Sequence, residues 1–336
     1  MKKAFSVVLA LVMALSLVAC GGSSAKGAVK TGLGIVATGA IKSEADADAN
    51  GKAQSNTTVA AVLVDAEGKI LDCKLDVAQT TTEYTTQGEV KTTEDFRTKM
   101  EKGADYGMAG ASAIKKEWNE QAEAFAAYVV GKTADEVAAI PQLGADKHNA
   151  PDVADLTASC TMDVTDFKAA VVAAAKNAKE MGAQAGDKLG LGVTTTMPVF
   201  SNKSASADGD GAIQHDTTAA VTTTKDGKIT STLLNAVQTK YTVTTEGTAE
   251  CTTATATSKQ ELGANYGMVG ASAIKKEWNE QADAFAAYTV GKTAAEVEAI
   301  PQLGADKHNG PDVADLAASC TIDVTDFKAA LAKAAA

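Results

Sequence analysis

The alternation of apolar and polar residues early in the chain predicts a β-hairpin. Residues 58–64 form an apolar, β-branched run, and residues 66–69 (Ala-Glu-Gly-Lys) have the composition of a turn. A half-buried strand is predicted next, because apolar residues alternate with polar ones at Leu71, Cys73, Leu75 and Val77. Threonine-rich stretches at residues 80–86 and 90–93 favour a continuation of the sheet.

Helical periodicity follows the predicted strands. Apolar residues spaced along one face predict a helix over residues 113–130, with Ser112 as its N-cap and Gly131 just beyond its end. Thr133 and Glu136 have the spacing of a capping box, which opens a short helix that stops before Pro141.

The last predicted elements surround a stretch rich in Ser, Cys and Thr. Cys160, Met162 and Val164 alternate like a short strand, and Thr165 is placed to cap an alanine-rich helix that reaches about Lys179. Strands that come first and helices that follow are typical of an α+β fold.

The chain contains this pattern twice. Residues 106–170 match residues 266–330 at an offset of 160 and differ at eight positions. Residues 60–70 pair more loosely with residues 219–229 at an offset of 159. Repeats at a fixed period predict tandem homologous domains. We expect repeat 1 at residues 30–180 and repeat 2 at residues 181–336, each an antiparallel sheet with helices packed on it.

The first 20 residues have the features of an export signal. Lys2 and Lys3 precede an apolar run at residues 4–17, which is too short to span a bilayer. Leu-Val-Ala then precedes Cys20, an order that resembles the bacterial lipoprotein signal. The resemblance implies cleavage before Cys20 and a diacylglyceryl anchor on its thiol, and two acyl chains give stable anchoring. We expect a flexible linker at residues 21–29 and a location on the extracytoplasmic face of a bacterial cell membrane.

The charge of the chain and the motifs it lacks argue against several classes of function. The chain has 42 acidic against 31 basic residues, with a net charge of −11, so it lacks the basic surface that nucleic acid binding requires. Neither a Ser-His-Asp order, a phosphate-binding loop nor a His-Glu-x-x-His pattern occurs in the sequence. His148 and His308 each have one nearby Asp, too few ligands for a metal site. These features favour a carrier or binding protein over a complete enzyme.

The same short motif precedes the last helix of each repeat, as Asp-Leu-Thr-Ala-Ser-Cys-Thr at 155–161 and Asp-Leu-Ala-Ala-Ser-Cys-Thr at 315–321. With the hairpin and the glycine-containing turn before a Trp/Phe helix, this order resembles the FMN-binding domain of extracytoplasmic electron-transfer proteins. That family includes flavin-carrying subunits of sodium-pumping quinone reductases and tandem-domain flavin lipoproteins of Gram-positive surfaces. Its motif reads Asp-x-x-Ser-Gly-Ala-Thr, and the final Thr takes FMN through a phosphoester bond.

The resemblance implies specific cofactor-binding residues in each repeat. Thr161 and Thr321 fall on the attachment threonine, and Asp155 and Asp315 fall on the aspartate. Tyr106 and Tyr266 begin the turn that corresponds to the one packing near the flavin.

The motif also departs from the family pattern. Ser159 and Ser319 replace the glycine, which loses the backbone freedom that lets a phosphate approach closely. The departures favour noncovalent FMN over covalent attachment. The implied function is electron transfer with redox partner proteins at the membrane. The alternative is a cofactor-free ligand-binding or structural module that retains the fold only.

Each repeat has two cysteines besides Cys20, and they allow two interpretations. The pairs are Cys73 with Cys160 and Cys251 with Cys320. An even number of cysteines per extracytoplasmic domain is typical of disulfides within the domain. Buried free thiols are the equal alternative, because spacing alone fixes no connectivity.

Overall fold

A computed structural model describes residues 28–93 and 95–336. The predicted signal with its lipidated Cys20, and the linker up to residue 27, lie outside the described residues. None of the helices within the described ranges is long and apolar enough to cross a bilayer.

The nine strands of the described residues form two antiparallel sheets. The strands are β1 (Ala28–Ser43), β2 (Gly51–Val64), β3 (Ile70–Tyr84), β4 (Lys179–Gln184), β5 (Lys188–Thr196), β6 (Gly211–Lys225), β7 (Lys228–Val243), β8 (Ala249–Cys251) and β9 (Thr255–Ala256). The first sheet has the order β3-β2-β1-β4, with β9 pairing to β1, and the second has the order β5-β6-β7-β8. The β2–β3 hairpin predicted from residues 58–77 is confirmed.

The helices follow the strands in each repeat. They are α1 (Lys99–Lys102), α2 (Trp118–Val129), α3 (Ala134–Ala138), α4 (Thr165–Lys176), α5 (Lys259–Leu262), α6 (Trp278–Thr289), α7 (Ala294–Glu298) and α8 (Thr325–Ala334). The longer helices α2 and α4 pack on the first sheet, and α6 and α8 pack on the second. The α+β prediction, with an antiparallel sheet and packed helices in each repeat, is confirmed.

The two sheets also pack against each other, which gives four layers in the order helix, sheet, sheet, helix. On β2, Ala60 and Val62 belong to the core beneath the helices, whereas Val59 and Ala61 belong to the core between the sheets. Successive side chains of a strand point to opposite faces, so a strand buried on both faces is apolar throughout. The expected boundary at residues 180/181 falls inside β4, and the intersheet core is shared by both repeats.

A pseudo-twofold relation connects the repeats across this intersheet core. Strand β1 packs on β7, and its counterpart β5 packs on β3. Near the centre, His215 of β6 is buried, and its two ring nitrogens bond Ser55 at 2.8 Å and Thr82 at 2.9 Å, both in repeat 1. Thr31 and Ser231 form a second buried hydroxyl pair across the sheets at 2.8 Å. Polar contacts therefore add directional bonds to the apolar intersheet core.

Strands β1 and β5 were not predicted from the sequence, because their glycine content breaks the apolar pattern. A β-carbon at Gly32 would overlap the carbonyl oxygen of Ala174 in α4, and one at Gly34 would overlap that of Ala170. A β-carbon at Gly190 or at Gly192 would overlap a carbonyl oxygen of α8 in the same way. The glycines thus allow the last helix of each repeat to rest directly on the strand backbone.

Several predicted boundaries were wrong. The long helix was predicted to start at residue 113 with Ser112 as its cap. It starts instead at Trp118, and Glu117 and Glu120 form its capping box. The last helix ends at Lys176, because Lys179 starts β4. By contrast, Gly131 lies just past α2 with a φ of 83°, and the Thr133–Glu136 capping box opens α3, both as predicted.

The predicted strand at residues 160–164 was also wrong. Residues 154–156 form a 3-10 helix, and the N–H of Cys160 then bonds the carbonyl of Leu156, so the chain turns instead of extending. Thr165 is the first residue of α4, and its N–H donates to the carboxylate of Asp163 at 2.8 Å. Asp163 therefore provides the cap that was expected from Thr165.

The repeats do not align at one offset through the hairpin. Strand β2 matches β6 at 160, since Ala60 and Ala220 both face the helices. Strand β3 matches β7 at 159, since the N–H groups of Ile70 and Ile229 donate to the equivalent carbonyls of Lys132 and Lys292. The turn of repeat 2 is one residue shorter, so the offset of 159 predicted for residues 60–70 was wrong for β2.

Candidate functional site

The motif threonine of repeat 1 is bonded to a buried amide. Gln121 of α2 accepts from the backbone N–H of Thr161 at 2.9 Å and from its hydroxyl at 3.4 Å. The amide nitrogen of Gln121 donates to the hydroxyl of Ser112 at 3.3 Å and to the carbonyl of Lys116 at 3.1 Å. We call Thr161, Gln121 and Ser112 the Thr161 cluster. A buried amide with protein partners on both ends fixes the position of what it bonds.

The turn beside the Thr161 cluster is held by a carboxylate. Glu117 accepts from the backbone N–H groups of Met108 at 2.8 Å and Ala109 at 3.1 Å. The turn needs Gly107, whose φ of 75° lies in the left-handed region. Ser112 therefore reaches Gln121 from a tightly folded turn, and it does not cap the helix as predicted.

A cation lies over two aromatic rings at the same end of α2. The ammonium of Lys99 is 4.9 Å from the ring centroid of Tyr106 and 5.5 Å from that of Trp118. Trp118 in turn packs edge-to-face on Phe167 of α4, with ring centroids 5.7 Å apart. Cation–π contacts with both rings thus hold the lysine at this end of α2.

Repeat 2 builds the same arrangement from its own residues, which we call the Thr321 cluster: Thr321, Gln281 and Ser272. Gln281 accepts from the N–H of Thr321 at 2.9 Å and from its hydroxyl at 3.2 Å, and it donates to Ser272 at 3.2 Å. Lys259 lies 5.0 Å from the Tyr266 ring and 5.2 Å from the Trp278 ring. Every contact of one cluster therefore has a counterpart in the other.

The other motif residues lie around the threonine without joining the clusters. Asp155 and Asp315 are exposed on short 3-10 helices. The hydroxyls of Ser159 and Ser319 donate back to the carbonyls of Leu156 and Leu316.

The serines fit the backbone without strain. Among the described residues, seven non-glycine residues have a positive φ, and neither Ser159 nor Ser319 is one of them. This backbone therefore does not require a glycine at the position where the family motif has one.

The described cysteines are free thiols, so of the two interpretations the free thiol is the one found. Cys73, Cys160 and Cys320 are buried, and Cys251 is half-buried. Burial raises the pKa of Cys160 and of Cys320 to about 11, and it also raises that of Cys73. A thiol with a raised pKa is a poor nucleophile, so the motif cysteines have a packing role.

Sequence reasoning missed the residues that organise the clusters. Gln121 and Glu117 were assigned only to a helix, and Lys99 lies before the part of the repeat that is nearly identical. The sequence shows only that these residues occur again in repeat 2, as Gln281, Glu277 and Lys259. That repetition becomes informative only when the contacts are known. His148 and His308 are exposed on loops with positive φ, as expected for turn residues.

No protein-family model, curated protein or solved structure matches the chain.

Proposed function

We propose that the protein is a lipid-anchored, extracytoplasmic FMN-binding electron carrier with one flavin site in each repeat. The supporting observation is the duplicated cluster, in which a half-buried threonine at the motif position is held by a buried glutamine of a helix that starts at a tryptophan, with a lysine over that tryptophan ring and a tyrosine ring. Aromatic side chains with a few polar groups among them are the composition of small-molecule sites.

Each residue would contribute a separate interaction to a bound FMN. Thr161 would present its hydroxyl to the phosphate, because Gln121 holds the threonine backbone through the 2.9 Å bond. Lys99 would supply positive charge for the phosphate, and Tyr106 is half-buried and offers an aromatic face. The flavin itself would supply the redox chemistry. The residues present therefore fit noncovalent binding at each threonine.

The second candidate function is a cofactor-free module, and the hydrogen bonds of the Gln121 amide favour it. The amide of Gln121 already has protein partners on both its oxygen and its nitrogen, so the cluster is complete without a ligand. In that case the cluster only fastens the motif turn to α2.

Titration of the full-length protein with FMN, followed by flavin fluorescence, separates the two candidates. We expect two FMN sites in the wild type, one in Thr161→Val and in Thr321→Val, and none in the double variant. Thr157→Ala is the matched control, since repeat 2 has Ala317 at the same place. Intact mass after co-expression with a flavin transferase would detect covalent attachment. Absence of FMN binding by the folded wild-type protein would contradict the proposal and favour the cofactor-free module.

A further inference from the structure

A groove of about 380 Å³ opens in repeat 1 between β3, α2 and β5, outside the Thr161 cluster. Its lining includes the apolar side chains of Leu75, Ala126 and Leu191 and the carboxylates of Asp76 and Glu123. The volume lies within the range of small-molecule sites, about 300–1,000 Å³. The groove combines an apolar surface with acidic groups, so it can accommodate a ligand that has both an apolar and a charged part.

In repeat 2 one side chain forms hydrogen bonds across the corresponding place. Gln260 stands where repeat 1 has Met100, and its amide donates to the carboxylate of Asp283 at 2.8 Å and to the carbonyl of Leu234 at 3.1 Å. These bonds tie α6 to the edge of β7. The side chain of Met100 has no hydrogen to donate, so repeat 1 lacks these two side-chain bonds. The two repeats therefore differ in their polar contacts at this place.

In repeat 2 a neutral amide takes the place of Asp76. Asp76 accepts from the N–H groups of Val77 at 2.7 Å and Met100 at 3.2 Å, and from the hydroxyl of Thr98. The neutral amide of Asn235 accepts from the equivalent N–H groups in repeat 2, at 2.8 and 3.1 Å. An amide thus makes the same two backbone bonds. Asp76 is only 8% exposed, and an ionised group is costly at such a buried position. A cation in the groove would offset part of this cost.

The groups around Asp76 give the groove a negative charge. Asp72, Asp76 and Glu123 line it together with a single cation, Lys74. Glu101 lies close enough to disfavour ionisation of Asp76, although Glu101 itself pairs with the ammonium of Lys333 at 2.6 Å. Three carboxylates against one ammonium would attract a cation and repel an anion.

We propose that this groove binds a small organic cation, an ammonium group on an apolar body, with the ammonium at the Asp76 and Glu123 carboxylates. The apolar body would contact Leu75, Ala126 and Leu191. The ammonium would provide a positively charged partner for the Asp76 carboxylate, whose N–H and hydroxyl donors are neutral. The site is independent of FMN, because none of the groove residues belongs to either threonine cluster.

Titration calorimetry of the full-length protein with n-hexylammonium tests the proposal, with 1-hexanol and hexanoate as neutral and anionic probes of similar size. We expect hexylammonium to bind at least tenfold more tightly than the other two probes. Asp76→Asn should weaken hexylammonium binding about tenfold while leaving hexanol unchanged. That variant copies repeat 2, so it is expected to fold.

Two further variants exchange the residues at this place between the repeats. Met100→Gln with Glu123→Asp copies the bonds of repeat 2 and should abolish binding of hexylammonium. Gln260→Met with Asp283→Glu and Asn235→Asp should open a second site. Equal affinity for the three probes would overturn the proposal. The proposal would also be overturned if hexylammonium affinity were unchanged both in Asp76→Asn and in Met100→Gln with Glu123→Asp, with circular dichroism confirming that each variant is folded.

Discussion

Replacing Asp76 by asparagine should stabilise the protein at neutral pH. Burial raises the pKa of Asp76 from an ordinary 3.8 to about 6. The folded state therefore binds more protons than the unfolded state between these values, so ionisation of Asp76 costs stability as pH rises through this window. A shift of about two pKa units corresponds to about 3 kcal/mol at pH 7. Asparagine avoids this cost, and Asn235 demonstrates that the amide makes the same backbone bonds.

Urea unfolding of wild type and Asp76→Asn at pH 7 and pH 4 measures this effect. The free energy of unfolding should be about 1–3 kcal/mol higher for the variant at pH 7. The difference should fall below about 1 kcal/mol at pH 4, where the acid is protonated in the folded state and about half protonated in the unfolded state. Asn235→Asp is the reciprocal control and should destabilise the protein at pH 7. A variant less stable than wild type at pH 7, or a difference that is the same at both pH values, would refute the reasoning.

Three further predictions concern the intersheet core, the helix contacts and the thiols. Burial lowers the pKa of His215 to about 4, so the contribution of His215 to stability should fall by about 3 kcal/mol as pH drops from about 6.5 to 4; urea unfolding should show this as a change in the stability difference between wild type and His215→Gln, in which the opposite contribution of Asp76 cancels. Gly34→Ala should lower the free energy of unfolding by about 1–3 kcal/mol through overlap with α4, whereas Gly110→Ala, with open space around it, should be nearly neutral. Alkylation followed by mass spectrometry should modify Cys251 before the three buried thiols, and faster labelling of Cys160 would contradict the packing described.

The hairpin, α3 and the order of elements were predictable because they depend on local signals. Alternation at residues 71–77, the Thr133–Glu136 capping box and Gly131 each act within a few residues. Strand β1 was not predictable in this way, because Gly32 and Gly34 are explained only by α4, which lies more than 130 residues later. The face-to-face packing of the sheets also has no local signal.

The candidate sites were also predictable only where they depend on a local motif. The motif directed attention to Thr161 and Thr321, and both lie in equivalent polar clusters. Gln121 could not be assigned from the sequence, because a polar residue on a helix is usually exposed and its burial depends on the turn that covers it. The groove could not be predicted either, since Met100 and Gln260 differ in effect only where β3 and β7 lie beside a helix.

The stoichiometry of FMN binding tests the proposed function most directly. Equilibrium titration of the purified full-length wild-type protein, followed by flavin absorbance and fluorescence, counts the sites. Two equivalent clusters predict two FMN per chain with similar affinity. The Thr161→Val and Thr321→Val variants should each retain one. A folded protein that binds no FMN, or binds it unchanged when both threonines are replaced, would contradict the assignment of the clusters as flavin sites.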